Sequence, residues 1–165
     1  MTQAYSVPSP ENEHAIEDEY LILSLADETF GLELSRVEEI RCWETATRVP
    51  NQPSFVRGVM NLRGTIIPLL DLRDRLQMEV CEYTGETIVV VVLVEDGLGQ
   101  RKVGVVVDAV SDVVGTTVEV SASRSEYGGA LDIELLHGLI AVDEQVIRLL
   151  DVDKLLPARL ADNGQ

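Results

Sequence analysis

The chain has 165 residues, 45% hydrophobic but only 4% aromatic, and carries 13 basic against 29 acidic side chains for a net charge of −16. This apolar share supplies the core of one domain and excludes a disordered chain. The charge excludes nucleic acid and anionic lipid surfaces, both of which are held through Lys and Arg, and leaves basic partners open.

Residues 1–18 are polar, hold Pro8 and Pro10, and carry Glu11, Glu13, Glu17 and Asp18 without a base, so they read as a flexible acidic tail. No basic n-region leads into an apolar stretch, and the run from Ile88 to Val94 is too short to span a bilayer. The expectation is a cytoplasmic protein without direct membrane insertion, its domain at 19–157 and a polar tail at 158–165.

Leucines alternate from Tyr20 to Leu25, Ala26-Asp27-Glu28 turns the chain, and Phe30, Leu32 and Leu34 alternate again, the pattern of a hairpin with one buried face. Ser35-Arg36-Val37-Glu38 fits a capping box and predicts a short helix with Val37 and Ile40 on one face. Pro50 and Pro53 mark a loop. Residues 55–71 read as strand, tight turn and strand, with Gly64 in the turn and Pro68 suited to a sheet edge or a bulge. Asp71 caps a short helix reaching Leu76. Thr87 to Val94 is a buried strand, Lys102 to Val110 another, and Val113 to Val120 a third. Residues 121–130 are the loop candidate of the second half. His137 to Val142 and Val146 to Leu150 form a last hairpin, after which Asp151 caps a helical turn that Pro157 stops. Nine or ten short strands with little helix predict a mainly β chain, a sandwich or small barrels.

Little in the sequence points to catalysis. His14 and His137 are the only histidines, and no ligand spacing for a metal surrounds either. Gly97-Leu98-Gly99 lacks the third glycine and the helix of a dinucleotide site, so it reads as a hairpin turn. Asp108 interrupts an apolar strand and is expected to bond nearby backbone or an Arg. Cys42 and Cys81 read as reduced, partly buried thiols. Trp43 and Phe55 fit binding anchors or core packing equally well. No catalytic residue, metal site or cofactor is assigned.

Several of these segments also occur in a known order. Val37-Glu38-Glu39-Ile40-Arg41, Pro50, and the run from Phe55 through Asn61-Leu62-Arg63-Gly64, Pro68 and Asp71-Leu72-Arg73 closely resemble the CheW family of chemotaxis coupling proteins. Val103 to Val113 resembles its second signature, and Leu149 to Leu156 its ending. The resemblance implies two SH3-like five-stranded β-barrels side by side, with a few short helices and a shared apolar seam. It also implies a non-catalytic adaptor between the cytoplasmic tip of a chemoreceptor and the regulatory domain of the histidine kinase CheA, recruited to receptor arrays where related CheW-like domains form rings. Carried over residue by residue, Val37, Glu39, Gly58, Arg63 and Val113 fall at receptor or kinase contacts. An apolar groove containing Val37 and Val113 would receive a receptor helix, with Glu39 and Arg63 at its rim. Gly58 and Gly64 also suit a purely backbone role, Val113 the core, and Arg63 a local ion pair. Other readings stay open: a coupling protein of a non-flagellar pathway for pili or development, a fragment of a larger regulator, and a small hydrolase using Asp108.

Overall fold

Leucine alternation produces β1 (Glu17–Leu25), which turns into β2 (Glu28–Glu33). The computed structural model describes residues 17–95, 97, 99–117, 135–142 and 144–156; residues 1–16, the loop expected at 121–130 and the C-terminal tail lie outside them. A 3-10 turn, Leu34–Arg36, leads to β3 (Val37–Cys42), β4 (Val56–Leu62) and β5 (Thr65–Asp71). The helix α1 (Leu72–Arg75) precedes β6 (Ile88–Glu95) and β7 (Gln100–Val107). Then come β8 (Ala109–Thr117), β9 (Leu136–Val142), β10 (Gln145–Leu150) and a 3-10 turn, Val152–Lys154. Asp71 and Asp151 cap these last two helical pieces as expected, accepting from the amides of Asp74 and Asp153.

Two readings of the sequence need correction here. No helix forms over residues 35–40: Ser35 caps nothing, and Val37 to Cys42 extend along β6 instead. The β-branched Val37 and Ile40 lose little in a strand, and a ladder partner outweighs the weak local capping signal. The strand expected from Lys102 to Val110 breaks at Asp108, where the chain leaves β7 for β8.

The strands form two five-stranded mixed sheets, ordered β8-β1-β2-β10-β9 and β3-β6-β7-β5-β4. Among the described residues the expected barrels are absent, because neither sheet closes. In the second sheet the edges β3 and β4 share no ladder among the described residues; an isolated bridge ties Thr47, in the connection between them, to Val59 of β4. The connection between them holds Pro50 and Pro53, which donate no amide, and Asn51 with φ 65°, so it cannot run as a closing strand. In the first sheet β8 and β9 remain edges among the described residues.

The central strands are buried on both faces, which explains the unbroken apolar run of β6. Val90, Val92 and Val94 enter a core shared with Leu21, Leu23, Phe30 and Leu32 of the other sheet. Val89 and Val91 point the opposite way, into a cluster with Leu62, Ile67 and Leu69. The first sheet repeats the arrangement, with Tyr20, Ile22, Ile147 and Leu149 in a third cluster. At about 25 cal/mol per Å² of apolar surface, such burial dominates stability.

The chain crosses between the sheets twice, and a charged clamp holds each crossing. At the first, Arg36 makes a bidentate pair with Asp153 at 2.7 and 2.8 Å and donates to the Leu93 carbonyl at 2.8 Å, while the Glu95 amide donates to Asp153 at 2.8 Å. At the second, Asp108 accepts from Arg73 Nε at 3.0 Å and from the Ala26 amide at 2.6 Å, as expected for this residue. Arg75 adds a third tie, donating to the Leu155 carbonyl at 2.6 Å. The Arg36 bond outweighs burial and holds Asp153 below its ordinary pKa. At Asp108 burial pushes upward, but the bonds from Arg73 and Ala26 outweigh it, and this carboxyl too is held low.

With depressed folded pKa values, both carboxyls add stability that is complete above about pH 5 and lost as pH falls through those values. Urea midpoints followed through Trp43 should therefore drop between about pH 5 and pH 2. Asp153→Asn should lower stability at neutral pH by about 1–2 kcal/mol and flatten that acid dependence. An unchanged acid slope in the variant would contradict the assignment.

Candidate functional site

Edge strand β3 presents Val37, Glu39 and Arg41 half-buried and Glu38, Ile40 and Cys42 exposed. Val37 lies opposite Val92 and packs against the shared core. Across the open side of the sheet, the β4–β5 turn places Arg63 and Gly64 at φ 52° and 89°, as a tight two-residue hairpin requires. Asn61 Oδ1 accepts from the Gly64 amide at 2.8 Å and holds the turn. Arg63 is 68% exposed, and its guanidinium reaches Glu39 at 2.8 Å. Arg41 donates to the other Glu39 oxygen at 3.0 Å. Hydrogen bonds from Arg41 and then Arg63 hold the Glu39 carboxyl below its ordinary value.

Gly58 serves the backbone. It sits in β4 at φ 143°, and a Cβ there would lie 2.4 Å from the Thr47 carbonyl oxygen. That close approach allows the reciprocal Thr47–Val59 bonds of 3.0 and 2.8 Å. Val113 belongs to β8 in the other sheet, opposite Leu21, and is 41% exposed. Of the five residues singled out from sequence, the structure thus joins Glu39 to Arg63 and sets Val37 on the same strand as Glu39. Gly58 lies on β4, and Val113 lies on a different sheet.

Two features escaped the sequence reading. Arg41 is the second partner of Glu39, spaced two residues along the strand. The other is an apolar groove of about 850 Å³ in the second sheet. Val49, Val56, Val59, Ile66, Pro68, Leu93 and Leu156 are among the residues that line it. The available signal was Pro68 inside an apolar strand, together with Ile66, which is 59% exposed.

Trp43 and Phe55 pack against the core clusters. Trp43 packs on Tyr83 at 4.3 Å between ring centroids beside the second core cluster. The Tyr83 hydroxyl donates to buried Asp71; burial first, and then this bond, raises its pKa. Phe55 packs against the shared core under the Arg75 guanidinium. Cys42 and Cys81 are free but exposed, contrary to the expectation of partial burial. Among the described residues no group of His, Cys, Asp and Glu could hold a metal, and no helix is long and apolar enough to cross a membrane.

An apolar groove beside open sheet edges has the make-up of a surface that binds other proteins. Comparison with known proteins gives the particular kind. The family model for the CheW-like domain matches residues 19–160. The chemotaxis protein CheW of Klebsiella aerogenes is 40% identical over 148 residues, covering 88% of this chain and 87% of that one. The probable chemotaxis protein CheW of Rhizobium etli is 33% identical over 137 residues, covering 83% and 86%. The crystal structure of the scaffolding protein TtCheW from Thermoanaerobacter tengcongensis matches with a TM-score of 0.75 at 27% identity, over 85% of this chain and 92% of that one. The chain belongs to the CheW family. It is therefore a non-catalytic chemotaxis adaptor that works through protein–protein contacts.

Gly58→Ala should cost at least about 2 kcal/mol, since the strained φ and the blocked carbonyl approach add together. Gly64→Ala, with the same sign of φ but nothing within 4 Å of the added Cβ, should cost less. Thermal unfolding of the two variants gives the comparison, and equal losses would show that the approach to Thr47 is unimportant.

Proposed function

We propose that this chain couples chemoreceptors, the methyl-accepting chemotaxis proteins, to the histidine kinase CheA. On this reading one surface holds the helical tip of the receptor and another the regulatory domain of the kinase. The protein works in the cytoplasm, recruited to membrane-associated receptor arrays, where further CheW-like domains are neighbours. The observation that carries the reading is the family match across nearly all of the described chain. The 40% identity to a chemotaxis protein and the likeness to a scaffolding protein support it.

Within that function, Val37, Glu39, Gly58, Arg63 and Val113 are proposed as the contact set, with unequal parts. The Glu39–Arg63 pair has an exposed cationic end that can fix a partner's orientation. Val37 and Val113 offer apolar area from separate sheets, and Gly58 acts by shaping the strand beneath. A scaffold transmits a signal only where its contacts differ in strength between receptor states, because equal binding shifts no equilibrium.

Arg63→Glu reverses the exposed charge and puts a second carboxylate beside Glu39. Co-sedimentation with receptor-bearing vesicles and kinase should weaken at least about tenfold, and receptor-dependent kinase activity should fall with it. Unfolding stability should stay close to that of the wild type, since an exposed pair contributes little. Normal kinase activation by this variant would reject the role of Arg63. Wild-type protein that fails to sediment with both receptor and kinase would reject the function itself.

A further inference from the structure

A bulge in β3 decides where Glu39 points. Val37 lies opposite Val92, which enters the shared core, but the register shifts before Glu39, which lies opposite Val91. Glu39 and Arg41, opposite Val91 and Val89, are thereby turned to the face of the second cluster. On that face Leu62 and Ile67 of the β4–β5 hairpin are buried, so the hairpin turn comes within reach. Glu39 meets Arg63 of the turn at 2.8 Å, and Arg41, the next residue on its own face, takes the other oxygen at 3.0 Å.

The two guanidiniums are not equivalent. Arg63 is 68% exposed on its turn, whereas Arg41 is 30% exposed on a strand, and its next carboxylate, Glu44, is farther away at 3.8 Å. An exposed pair of two long side chains gains almost nothing by itself, because ordering both costs conformational entropy. Here one oxygen of Glu39 is already held from its own strand, so only Arg63 remains to be ordered. We propose that Arg41 is a positioning residue for the partner contact of Arg63: it fixes Glu39, and through Glu39 it aims Arg63, without touching the partner itself. The depressed pKa of the Glu39 carboxyl, set first by the bond from Arg41 and then by that from Arg63, agrees with this order. The inference rests on reading Glu39 and Arg63 as part of the contact set, and it adds a residue that the family resemblance did not supply.

The test uses the full-length protein with receptor-bearing vesicles and kinase. Arg41→Gln should weaken co-sedimentation at least about threefold while its thermal unfolding stays close to that of the wild type. Arg41→Lys, which can still donate to Glu39, should recover most of that loss. In an Arg63→Gln background, Arg41→Gln should have no further effect, because a residue that acts only through Arg63 then has nothing to aim. Without any partner, the Arg63 Nε–Hε order parameter from NMR relaxation should fall in Arg41→Gln and recover in Arg41→Lys. The inference is overturned if Arg41→Gln sediments like the wild type, if it loses the same factor in both backgrounds, or if the Arg63 order parameter does not move. Wild-type protein that fails to sediment would instead reject the coupling function, and the order parameter, which needs no partner, would still decide whether Arg41 aims Arg63.

Discussion

One core holds both sheets, and the rest of the molecule depends on that. Leu21, Leu23 and Leu25 of β1, Phe30 and Leu32 of β2, Val90, Val92 and Val94 of β6, and Val103, Val105 and Val107 of β7 all bury into it. A sheet that gives one face to this seam still has a second face to cover. The second sheet covers it with Leu62, Ile67, Leu69, Val89, Val91 and Val106, the first with Tyr20, Ile22, Ile140, Ile147 and Leu149. The central strands must therefore be apolar on both sides. That requirement, rather than strand propensity alone, accounts for four successive valines in β6.

The polar ties make sense against this seam. Apolar contact is not directional and would tolerate some sliding of one sheet on the other. A bidentate Arg–carboxylate pair does not, because both of its bonds demand one geometry. Arg36 and Asp108 stand at the two crossings, opposite in charge. Each reaches a partner that follows a strand: Asp153 after β10 and Arg73 after β5. The crossings are thus pinned near the edge of the core, where partial exposure lowers the desolvation cost that fully buried pairs suffer.

Much of this was legible in the sequence, for reasons specific to its residues. Period-two leucines in β1 and β2, the Arg63-Gly64 hairpin and the caps Asp71 and Asp151 are local signals, and each element formed where its signal stood. Ser35-Arg36-Val37-Glu38 misled because its capping pattern is equally local, whereas the edge of β6 that pairs from Val37 onward is distant in the chain. Barrel closure was illegible for the same reason: it depends on whether β3 and β4 find each other, and Thr47 alone makes the bridge. At the candidate site, only the resemblance put Glu39 and Arg63 side by side at a rim, and the local ion pair that Arg63 suited had no named partner until Glu39 was seen to make it. Arg41 and the groove depend on side-chain direction, which is not written in residue spacing.

A shared core also limits how such an adaptor can respond. With Leu23, Phe30, Val90 and Val105 fully buried between the sheets, moving one sheet against the other would open cavities whose cost reaches several kcal/mol. The sheets therefore move as one body, and adaptability is left to the periphery. The exposed Arg63 turn and the isolated Thr47–Val59 bridge are both peripheral, and both lie on the second sheet. The core is thus committed to packing, and the exposed Arg63 and Val113 proposed as contacts lie outside it.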